Sequence, residues 1–209
     1  MINFFRFLYP RRCPFCDMSL APGELEAGIC KSCLKKLNRA KDFSDKGKSL
    51  YEYESVKTSI YRFKYMNRPE YARVYGREMA KAFSEWLSDI NPDALVPVPI
   101  HTKRLIKRGY NQATELAEAI SAYTNIPVRA HCIERTKNTI PLKLLNRENR
   151  VSNLKKAFIV IENVVNLRRV VLIDDIYTTG ATINALETEL RKAGVKEVYF
   201  LTLSKAGEK

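Results

Sequence analysis

The sequence predicts an α/β fold: a mostly parallel sheet flanked by helices, preceded by a small N-terminal four-cysteine module. Three observations carry this. Residues 170–173, Val-Val-Leu-Ile, form a short β-branched run that suits a strand buried on both faces. Similar runs alternate with stretches of helical spacing through residues 49–209, the pattern of crossover connections between parallel strands. Ahead of them, Cys13-Pro-Phe-Cys16 and Cys30-Lys-Ser-Cys33 stand thirteen residues apart.

The cysteines come first in the chain. Four thiolates at this spacing suit tetrahedral Zn²⁺, and four sulfurs leave no open coordination position. The ion expected on Cys13, Cys16, Cys30 and Cys33 is therefore structural, and residues 1–39 form its module. A pair of disulfides is the competing reading, and it needs an oxidising compartment. Residues 2–9 are aromatic but interrupted by Asn3 and Arg6. They lack the apolar core and small-residue cleavage site of a secretory leader. No apolar run approaches membrane-spanning length, so the expected setting is cytoplasmic. Cys132, near Val128 and Ile133, reads as a core residue.

Residues 40–48 are polar and read as a linker to a second domain, 49–209. Tyr51 and Tyr53 alternate with Glu52 and Glu54, predicting a short strand. Val56, Ile60 and Phe63 have helical spacing. Pro69 opens a helix with Val74, Met79, Phe83 and Trp86 on one face. Ala94 to Pro99 reads as a strand entering a rigid turn. Asn111 to Tyr123 predicts an amphipathic helix through Leu116 and Ile120. Pro127–Glu134 and Ala157–Ile161 are strand candidates, and residues 195–203 supply the last strand. Between them, Ile183, Leu186, Leu190 and Ala193 mark a helix that Gly194 stops.

The run at 170–173 ends in Asp174 and Asp175, then a small hydroxyl-rich turn: Thr178, Thr179, Gly180, Ala181 and Thr182. A turn that opens a helix presents free N–H groups to a phosphate. Gly180 permits close backbone approach, and the threonine hydroxyls add donors. Carboxylates cannot hold a phosphate, but they accept hydrogen bonds from vicinal hydroxyls, directly or beside Mg²⁺. Phosphate donors next to hydroxyl acceptors describe a site for a ribose 5-phosphate. An ordinary strand–helix turn also uses Asp and Thr as caps, but it does not need two adjacent acids.

Lys+Arg exceed Asp+Glu by 36 to 23, a formal net charge of +13, so the surface attracts polyanions. Two segments concentrate this charge. Residues 99–112 carry Lys103, Arg104, Lys107 and Arg108 just after a predicted strand end. Residues 135–156 carry seven Lys or Arg against one acid, Glu148. A long basic connection of this kind suits a lid over an anionic ligand.

The stretch 170–182 resembles, at every position, the thirteen-residue signature of type I phosphoribosyltransferases, which bind phosphoribosyl pyrophosphate (PRPP). Three further stretches extend the likeness: Arg108-Gly109-Tyr110-Asn111-Gln112, Tyr-Arg-Phe-Lys64-Tyr, and Asn-Arg150-Val-Ser-Asn153 before Ala157-Phe158. With the four-cysteine module, the whole chain resembles the ComF/GntX family of competence proteins, ComFC type. The resemblance implies a type I phosphoribosyltransferase-like fold and a cytoplasmic protein of natural transformation that handles incoming single-stranded DNA. It implies PRPP with Mg²⁺ as ligand. Asp174 and Asp175 would be the catalytic pair on the ribose hydroxyls, and Thr178, Thr179, Gly180, Ala181 and Thr182 would hold the 5-phosphate. Lys103, Arg104 and Arg108 are candidates for pyrophosphate or lid contacts. Single-stranded DNA and other competence proteins are candidate partners, with Tyr110 and Phe158 as candidate stacking residues. A non-catalytic DNA- or partner-binding protein that keeps this fold is the alternative. The chain departs from the family pattern at Leu142, Asn149 and Lys156, all in the basic connection. Thr178 stands where purine-salvage relatives carry an acidic base.

Overall fold

The computed structural model describes residues 11–41, 44–136, 157–162 and 164–207. In chain order the elements are α1 (Lys31–Leu34), β1 (Gly47–Glu52), α2 (Tyr53–Tyr65), α3 (Tyr71–Ala82), α4 (Ser84–Ile90), β2 (Ala94–Pro97), α5 (Thr102–Arg108) and α6 (Gln112–Thr124). They continue with β3 (Ile133–Arg135), β4 (Phe158–Val160), β5 (Arg169–Tyr177), α7 (Ala181–Lys192) and β6 (Glu197–Lys205). Four strands make one parallel sheet in the order β1-β6-β5-β2. Val128 bridges in parallel to Leu95 and extends the sheet beyond β2. β3 and β4 form a separate antiparallel pair, with Ile133 opposite Val160 and Arg135 opposite Phe158.

Strand alternation builds a core on each face. Val171 and Ile173 of β5, with Leu95, Leu201 and Leu203, pack against Ile60, Phe63, Tyr75, Leu116 and Ile120 from α2, α3 and α6. Val170 and Leu172, with Val96, Val198 and Phe200, pack against Leu186 and Leu190 of α7 and against Ile133 and Phe158. All four β5 side chains are fully buried, which explains why 170–173 reads as a continuous apolar run. Cys132 is equally buried.

Three sequence expectations shift. The strand predicted around Tyr51 is β1, but it lies earlier, and Tyr53 already begins α2. The helix predicted from Pro69 is interrupted. Phe83, at φ −121°, leaves helical geometry, and α4 restarts after it. The buried stripe of α3 is Tyr71, Tyr75 and Met79 rather than one running through the half-buried Val74. The strand expected over 127–134 reduces to the Val128 bridge and β3, with turns between.

Gly76 is where α3 meets α6. A Cβ there would lie 2.4 Å from Ala119 Cβ and 2.8 Å from the Ala119 carbonyl carbon. Backbone cannot give way as a flexible side chain does. Overpacking costs about 1–3 kcal/mol, whereas the helix-propensity gain of alanine over glycine is about 1 kcal/mol. Gly76→Ala is therefore expected to destabilise the protein by up to about 2 kcal/mol, measured as a lower urea midpoint at unchanged slope.

The cysteine-bearing residues are bound tightly to α2 and α3. The Phe15 ring packs edge-on against Tyr51 and Tyr75 at 5.6 and 5.7 Å. Ser59 Oγ donates to the Pro14 carbonyl at 2.5 Å, and Arg62 Nη2 to the Phe15 carbonyl at 2.7 Å. Tyr71 Oη donates to Asp17 Oδ1 at 2.5 Å.

Candidate functional site

The two central strands end at different heights. β2 stops pairing with β5 at Pro97 opposite Ile173, whereas β5 continues beside β6 to Tyr177 opposite Lys205. Beyond its last bond to β2's side, from Val98 N–H to the Ile173 carbonyl at 2.9 Å, β5 leaves Asp174 and Asp175 at an open edge. The chain leaves β5 through α7 toward β6, and leaves β2 through α5 and α6 toward Val128. Connections that part in opposite directions open a crevice at the carboxyl ends of the strands, where ligands bind in such sheets.

The alternation that builds the two cores also divides the acid pair. Asp175, on the α2 face, is buried and forms a 2.8 Å ion pair with Lys64 Nζ near the end of α2. Ser204 Oγ donates to its carbonyl at 3.2 Å. Asp174, on the other face, accepts the Asp175 N–H at 2.8 Å. Surrounding protein strips water from Asp174, and the Asp175 charge adds repulsion. Together these push its carboxyl up to about 7, although the Lys64 and Arg135 charges oppose the shift. Arg135, from β3, feels the same surroundings in reverse. Burial first, then the charge of Arg104, push its guanidinium down to about 10, and Asp174 pulls the other way. Its guanidinium lies over the Phe158 ring at 5.4 Å.

The raised carboxyl has a consequence for stability. An unfolded Asp ionises near 3.9. Between about 4 and 7 the folded chain therefore holds a proton at Asp174 that the unfolded chain has lost. This group's contribution to stability falls as pH rises through that window and levels off above it.

The loop after β5 fits an anion. Gly180 caps α7 at φ 73°, a left-handed conformation that a side chain adopts only under strain, and a Cβ there would stand 2.6 Å from Tyr177 Oη. Tyr177 is itself fixed by stacking on Phe200 at 5.0 Å and 7°. No side chain caps α7, which starts beside the exposed Thr178 and Thr179, and the first N–H groups of a helix are the ones able to receive an anion.

The structure gathers some of the expected residues and separates others. The charge of Arg104 acts on Arg135. Arg108 turns elsewhere: it donates to Gln112 Oε1 at 2.7 Å and covers the Tyr65 ring at 5.0 Å. Lys103 is exposed, with its amide donating to His101 Nδ1 at 3.1 Å. Tyr110 and Phe158 are buried and offer no face for stacking. Of the proposed lid, residues 137–156 lie outside the described residues. Lys64 and Arg135 were missed as site residues. Lys64 did carry a signal, since it follows Phe63 and lies one turn from Ile60, at the edge of a buried stripe.

The Sγ atoms of Cys13, Cys16, Cys30 and Cys33 all lie within 4.8 Å of one another, and none forms a disulfide. Tetrahedral zinc with bonds of about 2.3 Å sets its sulfurs about 3.8 Å apart. The 3.7 Å between Cys16 and Cys30 matches that edge, so the donor set fits a zinc ion. Among the described residues no helix is long and apolar enough to cross a membrane.

These features define a parallel α/β protein with an uncapped helix start beside a divided acid pair, joined to a four-thiol cluster. No protein-family model matches the chain. It is 31% identical to "Competence protein F" of Haemophilus influenzae, over 99% of this chain and all of that one. It is 29% identical to "Competence protein ComFC" of Bacillus subtilis, over 91% of this chain and 76% of that one. The chain belongs to the ComF/ComFC family of competence proteins. Among solved structures it is similar to the purine phosphoribosyltransferase of Pyrococcus horikoshii at 21% identity, over 63% of this chain and 73% of that one, with a TM-score of 0.38.

Proposed function

We propose that the protein binds PRPP with Mg²⁺ in the crevice at residues 174–182 and acts in natural transformation on incoming single-stranded DNA. The observation that carries the reading is the uncapped start of α7 at Gly180 directly following the two carboxylates. The 5-phosphate would sit on the Ala181 and Thr182 amides and the Thr178 and Thr179 hydroxyls. The ribose 2- and 3-hydroxyls would donate to Asp174 and Asp175. Mg²⁺ would neutralise the pyrophosphate while keeping bound waters, with Asp174 and Asp175 as the nearest protein carboxylates. As a transferase, the protein would hold C1 while its bond to pyrophosphate breaks and a bond to the acceptor forms. This chain's part is positioning and charge stabilisation, with Arg104 and Arg135 beside the developing charge.

The experiment is a calorimetric titration of PRPP with Mg²⁺ at pH 8 and pH 6. Ribose hydroxyls and Mg²⁺ need ionised Asp174, whose carboxyl titrates near 7. Saturable binding is expected at pH 8, weakening by about tenfold per pH unit below 7. No saturation at pH 8 would sink the reading.

The alternative, a binding protein that keeps the fold, draws on α5. This helix buries none of its residues and leaves Ile106 79% exposed between its cations. Pyrophosphate release in the presence of single-stranded DNA or a nucleobase acceptor separates the two, since only the transferase liberates it.

A further inference from the structure

On the α2 side of the acid pair lies a second cleft, of about 390 Å³, between the end of α2 and α5. It is lined by Tyr61, Lys64, Tyr65, Asn67, Lys107 and Arg108. Its composition is unlike that of the crevice. Three cations and two tyrosines line it, and no acid does. Both side chains reach the surface: Tyr61 is 58% exposed and Tyr65 55%. They lie 5.1 Å apart on successive turns of α2, inclined at 47°. The Arg108 guanidinium covers Tyr65 at 5.0 Å, and its Nη2 reaches Tyr65 Oη at 3.3 Å.

Among the described residues these two tyrosines lie outside the core clusters, and each offers an apolar ring with a polar tip. The chemistry that satisfies them is flat and apolar on its faces and negatively charged at its edge. A nucleotide has that chemistry. Its base offers a face to Tyr61 and an edge to Tyr65, and its phosphate meets Lys107 and Arg108. Within a duplex both faces of a base are covered by its neighbours, so the ring pair selects unpaired bases. α5 then continues the path. Lys103 and Lys107, and likewise Arg104 and Arg108, are four apart and stack along the helix, giving consecutive cations for consecutive phosphates.

We propose that this cleft seats an unpaired base of a single-stranded nucleic acid, stacked on Tyr61 beside the Arg108-covered Tyr65, with the backbone running along α5. The proposal rests on the DNA half of the function proposed above and gives it a location. Lys64 lines the cleft and pairs with Asp175, so the strand would lie against the same side chain that holds the acid pair.

The test compares a labelled oligothymidylate with an abasic strand of equal length, using the full protein. Both strands present the same phosphates, and only one presents bases. The wild type is expected to bind the base-bearing strand about tenfold more tightly. Tyr61→Ala should lower that affinity toward the abasic level, and Tyr61→Phe, which keeps the ring, should not. Tyr61 is exposed, so neither change threatens folding. Binding of the base-bearing strand that is equal in wild type and Tyr61→Ala would overturn this cleft while leaving DNA handling intact. Tighter binding of a duplex than of the single strand would overturn it too. No binding of either strand at low salt would remove this cleft and the DNA half of the proposed function together, without touching the PRPP titration.

Discussion

Asp174→Asn/Asp175→Asn is expected to lose saturable PRPP binding, weakening it by roughly two orders of magnitude or more. Each carboxylate would accept a ribose hydroxyl as a charged partner, and such bonds contribute about 1.5–3 kcal/mol each. Asparagine keeps the size and one acceptor but removes the charge. The single variant Asp174→Asn separates function from folding. Its carboxyl is held near 7 by burial and by Asp175, so the ionised form strains the folded state at pH 8. Removing that charge should leave thermal stability unchanged or raised at pH 8 while ligand binding falls. Titration calorimetry and a melting curve on the same sample give both readings. A double variant that binds PRPP as the wild type does would remove the crevice as the site.

The second large effect belongs to the cysteines. Protein purified without added metal is expected to hold about one zinc ion per chain by elemental analysis. Cys13→Ser should abolish it, since Cys13 is fully buried at the centre of the cluster. Structural zinc contributes on the order of 10 kcal/mol to modules of this kind, and here the module is bound to the main core rather than tethered beside it. The edge contacts of Phe15 with Tyr51 and Tyr75, and the carbonyl bonds from Ser59 and Arg62, would lose their support. The melting temperature should fall by more than about 10 °C, with the end of the chain near the cysteines gaining hydrogen exchange first. Zinc-free protein with two intact disulfides would sink this.

Much of the fold was legible because its signals are local. Val170–Ile173 announced a doubly buried strand by composition alone, and its contiguity with Asp174 and the Thr178–Thr182 turn put a whole site candidate in one reading frame. The cysteine pairs were legible for the same reason. Boundaries were less so. Tyr51 and Tyr53 alternate as a strand should, but the chain turns into α2 between them, with Ser55 Oγ donating to the Glu52 carbonyl at 2.8 Å in the first turn. The break at Phe83, where φ reaches −121°, carries no proline or glycine to announce it. The site's partners were hidden by distance. Lys64 meets Asp175 across more than half of the chain, and Arg135 approaches Asp174 from a separate strand pair. Nothing in the spacing of either residue announces its carboxylate. Tyr110 and Phe158 failed as stacking candidates for a related reason: adjacency to a basic run does not say which way a ring points, and both point inward.

Helix α2 is gripped twice. Ser59 and Arg62 hold the backbone between the first two cysteines, and one residue beyond Phe63 reaches Asp175. One helix therefore touches the cysteine loop at one grip and the acid pair at the other, so a change of state that moved it at the cysteines would move Lys64 and couple the two sites. Whatever metal binding does to the affinity for sugar phosphate, the sugar phosphate does in equal measure to the affinity for metal. Loss of metal at the cysteines would then reach the acid pair through a single helix.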